Sequence, residues 1–226
     1  MEIKDRQVYI NDKPLQNSTN IQFQYTVTGI DNLNVSKLED IGVTKYPTVG
    51  DIRDIRGGYL MHLSEAQKNK VQEYYPKATI NFVEHRPDLK NPNATLFPHD
   101  IRHFPDWTLD NFGPIVIPKE GVSVPLKKET IALYRRIIRI YENNTLEENG
   151  GKFIINGKEA TEYTFKQDYY WGMGDNRHAS EDCRYFGFIP ADHIVGKPLF
   201  IWFSTLNGSM GNGINWNRLF SGAYKM

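Results

Sequence analysis

The 226 residues contain a single cysteine, Cys183. That excludes an intrachain disulfide and a thiolate metal cluster, while saying nothing about compartment, because one thiol is tolerated in reducing and oxidising spaces alike. Long apolar runs are also missing. A membrane-spanning helix needs about 20 consecutive apolar residues, and the longest candidates here are runs such as LFIWF at 199–203. An excess charge of either sign is absent as well: 27 basic residues balance 27 acidic ones, which removes the electrostatic case for a nucleic-acid or anionic-membrane partner. The opening MEIKDRQVYIND lacks the basic head and apolar middle of a secretory signal and enters strand-like sequence at once. The chain as written is expected to be soluble, and its start reads as cut rather than begun.

What is present favours β-structure. Aromatic residues make up 13% of the chain, and its 18 glycines and 12 prolines are scattered throughout, a mixture unlike a helical bundle. The length suits one domain carrying a sizeable insertion. Val8 and Ile10 alternate with polar neighbours ahead of Asn11-Asp12, which predicts a hairpin. VYINDK (8–13) is echoed by FIINGK (153–158), where Asn156-Gly157 is a strong two-residue turn signal. Two copies are too few for a solenoid, so two related hairpins with something inserted between them is the reading.

The insertion has its own pattern. Residues 22–28 (QFQYTVT) alternate as a strand, 35–41 suit a short helix, and 59–63 read as a strand. Ser64 and Gln67 form a capping box opening a helix to about Tyr75, stopped by Pro76, and 79–83 is a strand again. Residues 84–111, with Pro87, Pro92, Pro98 and Pro105, read as a long irregular loop. GPIVIP (113–118) suits an edge strand. Residues 128–144 carry the clearest helical stripe, with Leu133, Ile137 and Tyr141 on one face and Arg135, Arg136 and Arg139 elsewhere. From 152 onward the chain reads as nearly all strand, ending in KPLFIWF (197–203). The fold class is thus mainly β, an antiparallel core formed by 1–15 and 151–226 with an inserted α+β unit at 16–150.

The stretch MGDNRHASEDCR (173–184) stands out because six of its side chains ionise near neutral pH between strand-like neighbours. Gly174-Asp175-Asn176 is turn chemistry. On a strand, Ser180, Asp182 and Arg184 would share one face, aligning a hydroxyl, a carboxylate and a guanidinium. Taken alone, the cluster reads first as a solvated turn held by a surface ion pair worth under about 1 kcal/mol.

The wider segment DYYWGMGDNRHASEDCRYFGFIPADHIVGKP (168–198) resembles the last signature of the type I signal peptidases, membrane-anchored serine endopeptidases that remove signal peptides from exported preproteins. EIKDRQVYINDKPL looks like the hairpin that follows that family's catalytic-lysine segment, and DNFGPIVIPKEG and INGKEA are similar to Bacteroidetes-like members. The resemblance is thin over 16–95. It implies a Ser/Lys dyad in which a buried neutral lysine serves as base. It also implies that Ser180 resembles the serine orienting that lysine, that Asp182 and Arg184 are the ion pair behind it, that Asp175 pairs with the arginine after the lysine, and that Gly174, Asn176 and Arg177 hold the turn. Cys183 replaces a usual serine and has no histidine to make it a nucleophile.

The family's Ser-Met-x-Pro and Lys-Arg segments are not found in these residues. Ser209-Met210 lacks the following proline, and Lys197 matches the ordinary Gly-Lys of the motif's tail. The reading is therefore the extracytoplasmic portion of a signal peptidase from the outer, periplasmic face of the bacterial membrane, inactive alone, acting in its parent protein on signal-peptide-bearing preproteins bound as an added β-strand. The alternative is a non-catalytic periplasmic peptide-binding module or pseudoenzyme. No cofactor, metal or nucleic acid is expected. His99 and His103 have a ligand-like spacing but lack an obvious third partner, and the five Asn-x-Ser/Thr sites at Asn17, Asn34, Asn93, Asn143 and Asn207 fit chance in an Asn-rich chain. An unpaired edge strand is expected to favour self-association. The basic helix face is either solvated or set against phospholipid headgroups.

Overall fold

The computed structural model describes residues 1–16, 18–45, 50–85, 96–205 and 210–223. Asn17, Pro87, Pro92, Asn93, Asn207 and Ser209 fall outside the described residues.

The chain starts with a three-stranded meander, β1 (Glu2–Lys4), β2 (Gln7–Ile10) and β3 (Lys13–Pro14). Asn11 and Asp12 take φ of 49° and 62°, the paired left-handed angles of a tight hairpin turn. The outer edge of β1 is occupied, since the Ile3 and Phe112 backbones exchange hydrogen bonds of 2.7 and 2.9 Å.

Next comes β4 (Gln22–Thr28), followed by α1 (Val35–Glu39), β5 (Ile52–Ile55), β6 (Gly58–Ser64), α2 (Glu65–Tyr74) and β7 (Thr79–Phe82). Their sheet runs in the order β5-β6-β4-β7, antiparallel throughout. The Ser64/Gln67 capping box is formed at the start of α2 in both directions. Tyr25, Val27, Met61, Leu63 and Val71 bury between this sheet and its helices.

Residues 96–122 carry no strand or helix. The expected edge strand at 113–118 is not formed, because Pro114 and Pro118 lack the amide hydrogens a ladder needs. Ile115 pairs with the Met1 amino group and carbonyl, and the Pro118 carbonyl accepts from the Tyr169 amide. Then follow β8 (Ser123–Pro125), α3 (Ile131–Arg136) and a π-helical turn at Ile137–Tyr141, where one continuous α-helix was expected. After these come β9 (Leu146–Asn149), β10 (Lys152–Ile155), β11 (Lys158–Ala160), β12 (Glu162–Thr164) and β13 (Tyr169–Tyr170). The Asn156-Gly157 turn joins β10 to β11 as the sequence predicts, with φ of 51° and 77°.

The expectation of nearly continuous strand beyond 152 is corrected. Residues 171–182 are irregular, α4 (Cys183–Phe186) is a short helix, and β14 (Ile189–Pro190), β15 (Phe200–Ile201) and β16 (Ser221–Gly222) are two residues each. Charged side chains that must reach buried partners over several directions cannot be served by a period-two ladder. Antiparallel pairing nevertheless dominates every sheet, so the mainly β class stands.

The buried apolar residues form two clusters. Leu96, Phe97, Leu109, Phe112, Ile131 and Ile138 join Ile3, Val8, Phe153 and Phe188 in one core, and only the 25–78 stretch supplies the other. No helix among the described residues is long and apolar enough to cross a membrane.

Candidate functional site

The charged stretch is folded inward. Asp182 caps α4, its Oδ1 accepting the Arg184 amide at 3.1 Å. The same carboxylate takes a two-pronged ion pair, from Arg184 Nε to Oδ1 at 2.9 Å and from Nη2 to Oδ2 at 2.7 Å. Arg184 is 0% exposed, and the rest of its fork is engaged by backbone: Nη2 donates to the Arg177 carbonyl at 2.6 Å and Nη1 to that of Leu109 at 3.3 Å. Burial alone would push the Asp182 carboxyl up, but the Arg184 hydrogen bonds and charge outweigh it and hold the group below the usual carboxylate range. The pair is thus buried rather than the solvated surface bridge that the residues alone allowed.

Gly174 closes the opposite wall. Its amide donates to Asp182 Oδ2 at 3.0 Å, and a Cβ placed there would fall 2.3 Å from Ser180 Oγ. Only glycine lets the Ser180 hydroxyl lie so close to this backbone. Ser180 is half-buried, and no described residue hydrogen-bonds its hydroxyl. The turn between them is tied to β4: Asp175 and Arg177 bracket Gln22, through Gln22 N to Asp175 O and Arg177 N to Gln22 O, both 2.9 Å. Asn176 faces Gln22 as a parallel bridge. The Asp175 side chain is exposed. Arg177 is buried, its Nε and Asn176 Oδ1 find no hydrogen-bond partner among the described residues, and burial followed by the neighbouring Arg184 charge lowers the Arg177 pKa.

Of the seven residues named from the sequence, the structure brings Gly174, Arg177, Ser180, Asp182 and Arg184 together, while Asp175 and Asn176 face Gln22 through backbone. The strand geometry used to align them is corrected: Ser180, Asp182 and Arg184 meet through a turn and a helix cap. Cys183 is buried and its thiol is pushed up to about 11 by desolvation, which suits a packing role and not a nucleophile.

Sequence reasoning missed the neighbouring histidines. Buried His178 accepts from the Gln24 amide on Nδ1 at 3.1 Å and meets Asp110 on Nε2 at 2.8 Å. Accepting on Nδ1 leaves the proton on Nε2, so His178 is neutral there and donates to the carboxylate. The Gln24 side chain then bridges His62 at 2.8 Å and His85 at 2.9 Å. Desolvation lowers the pKa of both His62 and His85. Asp110 lies 68 residues from His178 in the chain, so no local spacing could have revealed the pair. His103, one of the ligand-like histidines, turns its Nδ1 to Asp100 at 2.7 Å. Among the described residues no group of three or more His, Cys, Asp or Glu is arranged to hold a metal ion.

The opening hairpin reaches this frame through residues 109–112. Arg6 N donates to Asp110 O and Ile3 exchanges bonds with Phe112, while Asp110 and Leu109 hold His178 and Arg184. The support is therefore continuous from residue 3 to residue 184.

Residues 120–203 match the family described as signal peptidase, peptidase S26. Among curated proteins, the signal peptidase I of Rickettsia typhi is 51% identical over 98 residues, covering 39% of this chain and 33% of that protein. That of Leptolyngbya laminosa is 27% identical over 115 residues, covering 44% of this chain and 56% of its own length. That of Haemophilus influenzae is 42% identical over 52 residues, 23% of this chain and 15% of that protein. No solved structure matches. The chain spans between 15% and 56% of the length of these three relatives. With the glycine, serine and buried ion pair of the signature assembled in space, residues 120–203 are similar to the family described as signal peptidase, peptidase S26.

Proposed function

We infer that the frame around Ser180 orients the amine of a lysine general base, and that the whole protein is a serine endopeptidase removing signal peptides from exported preproteins at the periplasmic face of the bacterial membrane. One observation supports this most: Ser180 Oγ is pressed against Gly174 and left without a partner among the described residues, while Asp182 and Arg184 behind it are saturated. A lysine acting as base must be neutral, so it must be desolvated and aimed by a neutral hydrogen-bonding group. A hydroxyl fixed by close backbone contact meets that need. The exposed Asp175 carboxylate suits pairing with a cation beside that lysine. Nucleophile and base are assigned to sequence outside residues 1–226, and these residues alone are expected to be inactive. Residues 16–150 are read as the inserted part, between the core segments 1–15 and 151–226.

The test is cleavage of a preprotein peptide with an Ala-x-Ala site by the full-length protein. Ser180→Ala should lower kcat by about tenfold or more with little change in KM, and shift the acid limb of the pH profile upward as the lysine loses its partner. An unchanged kcat and profile would remove Ser180 from the role. Cleavage by residues 1–226 alone would refute the assignment of the dyad elsewhere.

A further inference from the structure

Between α4, at Phe186, and the helical segment 131–141 lies a cleft of about 480 Å³ lined by Phe97, Pro98, Arg135, Arg136, Arg139, Ile140 and Phe186 among others. Its two walls differ in chemistry. Phe97, Pro98, Ile140 and Phe186 form an apolar side, with Ile140 66% and Phe186 40% exposed. The other side carries three guanidinium groups from α3 and the π-helical turn. Their commitments are unequal. Arg135 is held by Glu148 through Nε at 2.7 Å and Nη2 at 3.1 Å. Arg136 lies over the Tyr141 ring at 5.3 Å, which leaves its N–H fork available. Arg139 is exposed and makes no hydrogen bond or ion pair among the described residues. The acids nearest this wall are already engaged, Glu148 by Arg135 and Asp100 by His103.

We propose that this cleft binds an anionic amphiphile, a phosphate ester carried on an apolar chain. The phosphate lies between the forks of Arg136 and Arg139, and the chain lies along Ile140 and Phe186. A guanidinium fork matches two phosphate oxygens at once, and planar Arg is the side chain suited to that geometry. The volume falls within the range of small-ligand sites, about 300–1,000 Å³. The π-helical turn fits the same reading, since π-bulges recur at functional sites. It places Arg139 and Ile140, adjacent in sequence, together on the cleft. Phe97 lines the cleft and its amide donates to the Arg184 carbonyl at 2.9 Å, so an occupant there would touch the scaffold of the Ser180 frame. The site stands apart from the peptidase reading and survives its failure.

The test is binding of residues 1–226 to three probes: inorganic phosphate, a short alkyl phosphate below its micelle concentration, and vesicles of phosphatidylcholine with and without phosphatidylglycerol. The alkyl phosphate should bind at least tenfold tighter than inorganic phosphate, with affinity falling as salt rises. The double substitution Arg136→Gln with Arg139→Gln should lower that affinity by about tenfold or more, with the thermal melt checking that the fold is kept. Ile140→Ser should weaken the alkyl phosphate while leaving inorganic phosphate unchanged. Glu148→Gln, which releases Arg135, should tighten binding severalfold, a gain that misfolding cannot produce. Binding to phosphatidylglycerol vesicles as well as to the dispersed probe makes a bilayer lipid the source; binding to the dispersed probe alone makes it a soluble phosphate ester. Equal affinity for both phosphates, or binding indifferent to the two arginine substitutions and to Glu148→Gln, overturns the proposal.

Discussion

Two buried polar centres meet at Arg177 and His178, and they handle desolvation in opposite ways. Around Arg184 the charge is kept, matched by Asp182 and surrounded by backbone carbonyls. Around Gln24 three imidazoles are joined by a hydrogen-bond chain that runs from Asp110 through both ring nitrogens of His178 to the Gln24 backbone, and from the Gln24 side chain to Nε2 of His62 and of His85. An ionised pair holds its geometry over the pH range in which both partners stay charged; a neutral chain holds only while no extra proton arrives. The first centre belongs to the motif, the second to its seam with the sheet of β4 to β7.

The contrast breaks most sharply at Arg184. Arg184→Ala leaves the Asp182 carboxylate buried and unpaired, and stability measured by urea unfolding should drop by about 3–5 kcal/mol. Replacing both Arg184 and Asp182 by apolar residues of similar volume should cost much less than the single substitution, since no orphan charge remains. Gly174→Ala comes next: the new methyl collides with Ser180 Oγ and Cβ, at 2.3 and 2.6 Å. The expected loss is about 1–3 kcal/mol, and full-length activity should fall through the displaced serine more than stability predicts.

The pH dependence sharpens the comparison further. His62 and His85 have folded pKa values below their ordinary 6.5, so the unfolded chain takes up protons first. Their contribution is complete above that value and is lost as the pH falls from there toward the folded values, at most about 1.4 kcal/mol per pH unit for each histidine. The Asp182 carboxyl, held below its ordinary 3.8, keeps its contribution until the pH falls below that value. Acid unfolding should therefore show an early limb, flattened by the pair of substitutions His62→Gln and His85→Gln, and a later one flattened by none of the histidine changes. The smallest effect belongs to the exposed Lys152–Glu159 bridge. Glu159→Gln should change stability by less than about 0.5 kcal/mol, because solvent screens an exposed pair.

Legibility in the sequence followed the range of the interaction. The hairpin turns at Asn11-Asp12 and Asn156-Gly157, the strand at 22–28 and the Ser64 capping box depend on residues within a few positions of one another, and each formed as read. Segments whose form depends on distant partners did not. Residues 113–118 had strand composition but carry two prolines without amide hydrogens, and their backbone bonds go to Met1 and Tyr169 instead of a ladder. Residues 128–144 had one helical stripe but end in a π-helical turn, where the buried Glu142 carboxylate takes hydrogen bonds from Tyr163, Tyr169 and the Lys166 amide. In the site, the seven motif residues were visible as a pattern, whereas Asp110, Gln24, His62 and His85 carried no local mark at all.

The amino-acid order by itself determined the turns, the helix start at Ser64, the identity of the Asp182–Arg184 pair and the kinship that its motif signals. These rest on backbone preferences and on residue types a few positions apart. Folding in three dimensions decided that the pair is buried, that Gly174 is forced to be small by Ser180, and that three histidines share one glutamine. Burial and hydrogen-bond partnership between residues tens of positions apart are properties of packed chain, and no local pattern encodes them.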